Sequence, residues 1–173
     1  MTLDRSKLEA ELAKFADPSS ASFTGWTLNR EAARHAWAAA FFTYASDMIS
    51  VALAPTDTSI VFSQVETSFF DALSLENATV VAAATDFGGA WKAAIDGLLP
   101  GAGATISASS TPYTFAGMNP ADVAARRASL ESELATVLAA GSPTRAADLA
   151  EIAAAFHTAT SGLSSTIPGV AYT

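Results

Sequence analysis

Side chains suited to catalysis near neutral pH are scarce in this chain: it has two histidines and no cysteine. General acid–base and nucleophilic chemistry lean on His, Cys and clustered carboxylates. Glu31 and His35 lie one helical turn apart. A di-iron bundle needs Glu-x-x-His pairs on two helices plus two further inward glutamates. Here a single Glu-x-x-x-His occurs, so the pair reads as a surface contact along a helix. His157 follows Phe156, has no partner at that spacing, and reads as a half-buried packing residue. The missing cysteines exclude disulfides, thiolate nucleophiles and thiolate metal sites. No G-x-S-x-G, H-E-x-x-H, P-loop or G-x-G-x-x-G occurs. Gly101-Ala-Gly103 lacks the third glycine and the preceding strand of a dinucleotide site. The expectation is a protein with no catalytic residue, no metal and no cofactor.

What remains is scaffold. Alanine supplies about a quarter of the chain, 40 of 173 residues. It is the best helix former because a helix costs it no side-chain entropy. A chain of this length suits one domain, residues 1–173, with a core that needs no staples. The net charge is −8. Its acidity is concentrated between residues 51 and 118, where Asp57, Glu66, Asp71, Glu76, Asp86 and Asp96 face a lone Lys92. With no Lys/Arg stripe, direct nucleic-acid binding is not expected, and the sign is wrong for anionic lipid. No apolar run reaches the ~18 residues of a membrane span. The opening stretch, MTLDRSKLEAELAKF, carries both charge signs and does not have the pattern of a signal peptide.

Periodicity places five to six helices in an all-α bundle. The first, about Leu3 to Phe15, carries Leu8, Leu12 and Phe15 and stops at Asp17-Pro18. The second starts near Thr27 or Asn29 and presents Ala33, Trp37, Phe41, Tyr44, Met48 and Val51 before Pro55. Its other side is alanine rather than charge, which marks a central helix. The third is expected from Asp57, with Val61, Val65, Phe69 and Leu73 on one face. Its adjacent Phe69 and Phe70 diverge by about 100°, so burying both requires cover from two sides. The fourth is expected from Asn77 and carries Val80, Ala84, Phe87, Trp91, Ile95 and Leu98. Gly88-Gly89 in its interior costs about 0.5–1 kcal/mol per glycine relative to Ala, which points to close approach of another backbone. The fifth has the clearest start: Asn119 caps, Pro120 opens the first turn and Asp122 meets the positive end of the helix dipole. It ends at Gly141. The sixth restarts through Ser142-Pro143 with Leu149, Ile152, Phe156 and Leu163 as its face, so the last two helices form an antiparallel hairpin.

Two stretches fall outside these faces. Residues 101–118 read as a projecting, extended loop, able to pair as a short hairpin across Thr111-Pro112. Residues 164–173 read as an extended C-terminal arm. Both are rich in Ser, Thr, Gly and Pro. Tyr113, Phe115, Val170 and Tyr172 are their candidate interface residues.

Three stretches carry a resemblance: EAARHAWAAAFFTYA, ATVVAAATDFGGAWKAAI, and AADLAEIAAAFHTATSGLSSTIPG with its helix giving way to a Ser/Thr-rich tail. In layout the chain resembles alanine-rich proteins encoded in the structural gene clusters of tailed bacteriophages. The resemblance implies a non-enzymatic virion component of the neck, tail or baseplate, assembled in the host cytoplasm. Its partners would be copies of itself and other virion proteins. The acidic middle departs from the resemblance. The alternative is a small helical ligand-binding module or enzyme whose aromatic helices enclose an apolar pocket.

Overall fold

Capping chemistry decides where most helices begin. The computed structural model describes residues 3–27, 29–47, 60–61, 64–100, 105–106, 113–114, 118–164 and 171–172. Helix α1 (Arg5–Ala16) is capped by Asp4, which accepts from the Ser6 N–H. Asn29 caps α2 (Arg30–Ala45), Thr79 caps α4 (Val80–Asp96), Asn119 caps α5 (Pro120–Ala140) and Thr144 caps α6 (Arg145–Thr160). Each supplies a side-chain oxygen to a first-turn N–H that has no partner within the helix. Only α3 (Val65–Ala72) begins without such a bond among the helices described.

Three boundaries differ from the periodic reading. Helix α2 stops at Ala45, not beyond Met48. The Ser46 hydroxyl donates to the Thr43 carbonyl, and Asp47 pairs with Lys7 at 2.6 Å; Met48 and Val51 lie outside the described residues. Helix α3 begins at Val65. Ile60–Val61 forms strand β1 instead, antiparallel to β2 (Leu99–Pro100). β-branched residues favour that pairing over a helix, and Asp57 lies outside the described residues. Helix α4 begins at Val80 because Asn77 is engaged elsewhere. Its amide donates to Asp86, whose carboxylate also accepts the Ser74 and Leu75 N–H groups. That carboxylate holds Leu75 in the left-handed region at φ 56°.

The helices form a ring. Each packs on the next in sequence, α1 on α2 through to α5 on α6, and α6 closes back onto α1. Consecutive helices run in opposite directions. Phe156 of α6 sits at the centre, within 5.8–6.5 Å of the rings of Trp37 and Phe41 (α2), Phe69 (α3) and Phe87 (α4). This is an all-α bundle with an aromatic core. Phe69 is buried in it, while Phe70 is half-buried on the other side. Gly88 faces α5: a Cβ there would stand 2.6 Å from Oε1 of Glu131. Gly89 has room, with only an Arg127 nitrogen at 3.9 Å.

The remaining strands are two residues each. β3 (Thr105–Ile106) pairs with β4 (Tyr113–Thr114), the hairpin expected in the projecting loop. β5 (Leu163–Ser164) pairs with β6 (Ala171–Tyr172), so the arm returns to its own root. Leu163 is thus off α6 but still buried.

Candidate functional site

Alternating helix directions give the bundle two unlike ends. At the first, α2, α4 and α6 finish and α1, α3 and α5 begin. Lys7 of α1 meets Asp47 after α2, and the Asn119 N–H before α5 donates to the Ser164 carbonyl after α6 at 2.8 Å. The β1–β2 pair joins the entry to α3 with the exit from α4. The six strands among the described residues belong to segments that leave or enter at this end.

The root of the arm is fastened here by two side chains of α5 one turn apart. The Asp122 carboxylate accepts both the N–H and the hydroxyl of Ser164, at 2.8 and 2.9 Å. Arg126 donates to the carbonyls of Thr158, Ser161 and Gly162 at 2.8–3.0 Å, and pairs with Asp122. Carbonyls at the end of α6 have no partner within the helix, and the guanidinium fork supplies several donors at once. Burial opposes ionisation of Asp122, but the Ser164 bonds and Arg126 outweigh it and hold its carboxyl below the usual range.

Of the expected interface residues, Tyr113 lies in β4 opposite Ile106, and Tyr172 lies in β6 opposite Leu163. The two strands belong to separate pairs. Phe115 and Val170 lie outside the described residues.

Inside this end lie the polar contacts of Trp91, Thr160 and Tyr44. The Trp91 indole N–H donates to Thr160 Oγ1 at 3.0 Å, and Thr160 donates on to the Phe156 carbonyl. Tyr44 Oη lies 2.9 Å from His157 Nδ1. Burial pushes the Tyr44 hydroxyl up, so it stays protonated and can donate. Burial likewise lowers the His157 pKa, which favours the neutral acceptor ring. His157 is therefore a packing residue with a satisfied nitrogen. His35 does not use Glu31: its ring stacks on Phe70 of α3 at 4.0 Å, and Arg34 lies 4.2 Å from the same ring. Among the described residues, no three His, Cys, Asp or Glu side chains gather to hold a metal ion, and no helix is long and apolar enough to cross a membrane.

The second end is open. The end of α1, the start of α2, the α5–α6 turn and the first turns of α6 enclose a cleft of about 380 Å³. Phe15, Trp37, Leu138, Leu149 and Ile152 form much of its wall, and Trp26 stands at its mouth. Trp26 is 55% exposed, packs edge-on to Phe23 at 5.3 Å, and lies 5.9 Å beneath the Arg145 guanidinium. Asp148 at the rim accepts the Ser142 N–H at 2.6 Å. Sequence reading missed this cleft. Its one local signal is a large aromatic just before a helix cap, where the helical pattern assigns it no buried face.

The chain matches no family model, no curated protein and no solved structure.

Proposed function

We propose that this protein is a non-enzymatic assembly subunit, working through contacts with copies of itself and with other proteins. The virion of a tailed phage, at the neck, tail or baseplate, is the setting its sequence layout supports. One observation carries the reading. The strand-bearing segments leave a closed helical ring at one end, and the root of one is fastened to the bundle by Asp122 and Arg126. A rigid body with its strand-bearing segments on one side suits attachment, since backbone pairing by such segments needs no large apolar patch on the free protein. A net charge of −8 keeps the unassembled chain soluble.

Sedimentation velocity of the full chain tests the reading. The expected result is a discrete oligomer or filament. Removing residues 165–173, which spares Ser164 and its bonds, should yield a monomer with unchanged helicity. A full chain that stays monomeric at every concentration would overturn the assembly role. Mass spectrometry of particles whose genome encodes this chain should find it in fixed copy number; its absence from them would overturn the virion setting.

A second reading rests on the cleft of about 380 Å³, within the size range of small-molecule sites. A monomer that retains a small apolar molecule through native mass spectrometry would favour it.

A further inference from the structure

We propose that the cleft at the second end is the receptor for residues 165–170 of another copy, so that subunits join head to tail. The inference rests on the assembly reading above and adds the surface that receives the arm.

The apolar exposure is on the receiving side. Among the described residues the exposed large hydrophobics are Trp26, Val80 and Val81, and Val81 is 67% exposed. Trp26 precedes α2, and both valines open α4, so all three lie at the end opposite the strands. The cleft lies at that end too. On the scale where a cavity of roughly 150 Å³ admits a benzene ring, its volume of about 380 Å³ takes two or three apolar side chains.

Residues 165–170 read Ser-Thr-Ile-Pro-Gly-Val and carry no charge. Ile167, Pro168 and Val170 supply three apolar groups of suitable size. The two charged residues of the wall, Arg145 and Asp148, are already engaged with Trp26 and with the Ser142 N–H. An uncharged segment therefore enters without stranding a charge of its own, and it does so between chains that otherwise repel one another at −8 each.

The occupant cannot come from the same molecule. Ser164 and Ala171 are paired, so the six residues between them are tethered at both ends. At about 3.4 Å per residue, such a segment reaches only ~10 Å from its root. The cleft lies beside the start of α6, one 16-residue helix away, or about 24 Å at 1.5 Å per residue. The donor is a second copy. Donor and receptor surfaces differ, so the contact is heterologous, and it builds a ring if the rotation closes or a filament if it does not.

Complementation between two full-length variants tests this. An Ile167→Asp/Val170→Asp double variant spoils the arm and leaves the cleft. Trp26→Ser spoils the cleft mouth and leaves the arm; Leu138→Asp does the same from the inner wall, and circular dichroism checks that each is folded. Each variant alone should sediment as a monomer, because every contact needs one arm and one cleft. An equal mixture should give a dimer and stop there, since it contains one intact contact. If the arm variant is monomeric while both folded cleft variants still assemble fully, the arm docks elsewhere: the receptor assignment fails and the assembly reading stands. If the wild-type chain is monomeric throughout, both fail. Retention of a small apolar molecule by wild type but not by Trp26→Ser, with assembly unaffected, assigns the cleft to that molecule and overturns the proposal.

Discussion

The two ends of the bundle solve different problems with different residues. At the strand-bearing end, α5 and α6 are joined by directional bonds: Arg126 reaches one carbonyl in the last turn of α6 and two just past it, and Asp122 takes both donors of Ser164. At the opposite end the same two helices meet through a four-residue connection and leave an apolar cleft beside it. Polar bonds fix one geometry and tolerate little else, whereas an apolar wall accepts any surface of the right shape. The contrast separates the part that holds the molecule together from the part that is free to receive.

Removing what the two ends share should abolish the contrast. Phe156→Ala empties the aromatic centre and should cost about 3–5 kcal/mol, the usual range for a buried Phe. Chemical denaturation should still give one transition, because both ends lose the same support. Next, Arg126→Ala should cost about 1.5–3 kcal/mol, as expected for hydrogen bonds to a charged group. Hydrogen exchange should rise at the end of α6 and stay unchanged around the cleft. Equal loss of protection at both ends would erase the distinction.

The Gly88-Gly89 pair sharpens the comparison along α4. Gly88→Leu should destabilise by about 1–3 kcal/mol, since Glu131 of α5 already occupies the space and is itself paired with Arg127 at 2.6 Å. Gly89→Ala meets only an Arg127 nitrogen at 3.9 Å, an ordinary contact, and should stabilise by about 0.5–1 kcal/mol, the ordinary helical preference. At the open end, Trp26→Ala should leave thermal stability within about 0.5 kcal/mol, as for surface positions, because more than half of the side chain faces solvent.

Acid offers a graded version of the same test. The Asp122 carboxyl is lower in the folded protein than in the unfolded chain. Its contribution is therefore complete above the unfolded value near 4 and is lost as pH falls through the lower folded value. The difference in melting temperature between wild type and Asp122→Asn should be largest at neutral pH and shrink below about pH 4. A difference independent of pH would mean that the carboxylate's charge plays no part in holding Ser164.

Much of the scaffold was legible because its signals are local. Asn119-Pro120 and the Trp37, Phe41, Tyr44 stripe each announce a helix within a few residues, and the structure keeps both. The start of α3 was not legible. Asp57 looked like a cap, but Ile60–Val61 found a partner in Leu99–Pro100, nearly forty residues away. The cleft was hidden for the same reason: its wall is assembled from five separate stretches, around Phe15, Trp26, Trp37, Leu138 and Leu149. Asp122 and Arg126 could be read as a pair at i and i+4, yet their partners beyond α6 depend on how the helices fold back. Tyr113 and Tyr172 fall outside every helical face in the sequence, and each lies in a two-residue strand.

The ring has a consequence for the order in which the molecule forms. Five of its six seams join helices adjacent in sequence, and such near-neighbour contacts close quickly. The sixth, α1 against α6, joins the first and last of the described helices and must wait for all six. During synthesis α1 emerges ahead of the other five helices, finds α2, and keeps the face that packs on α6 uncovered until α6 arrives. A chain stopped anywhere before residue 160 therefore displays an open arc with an unsatisfied apolar edge, and it is α6 that closes it.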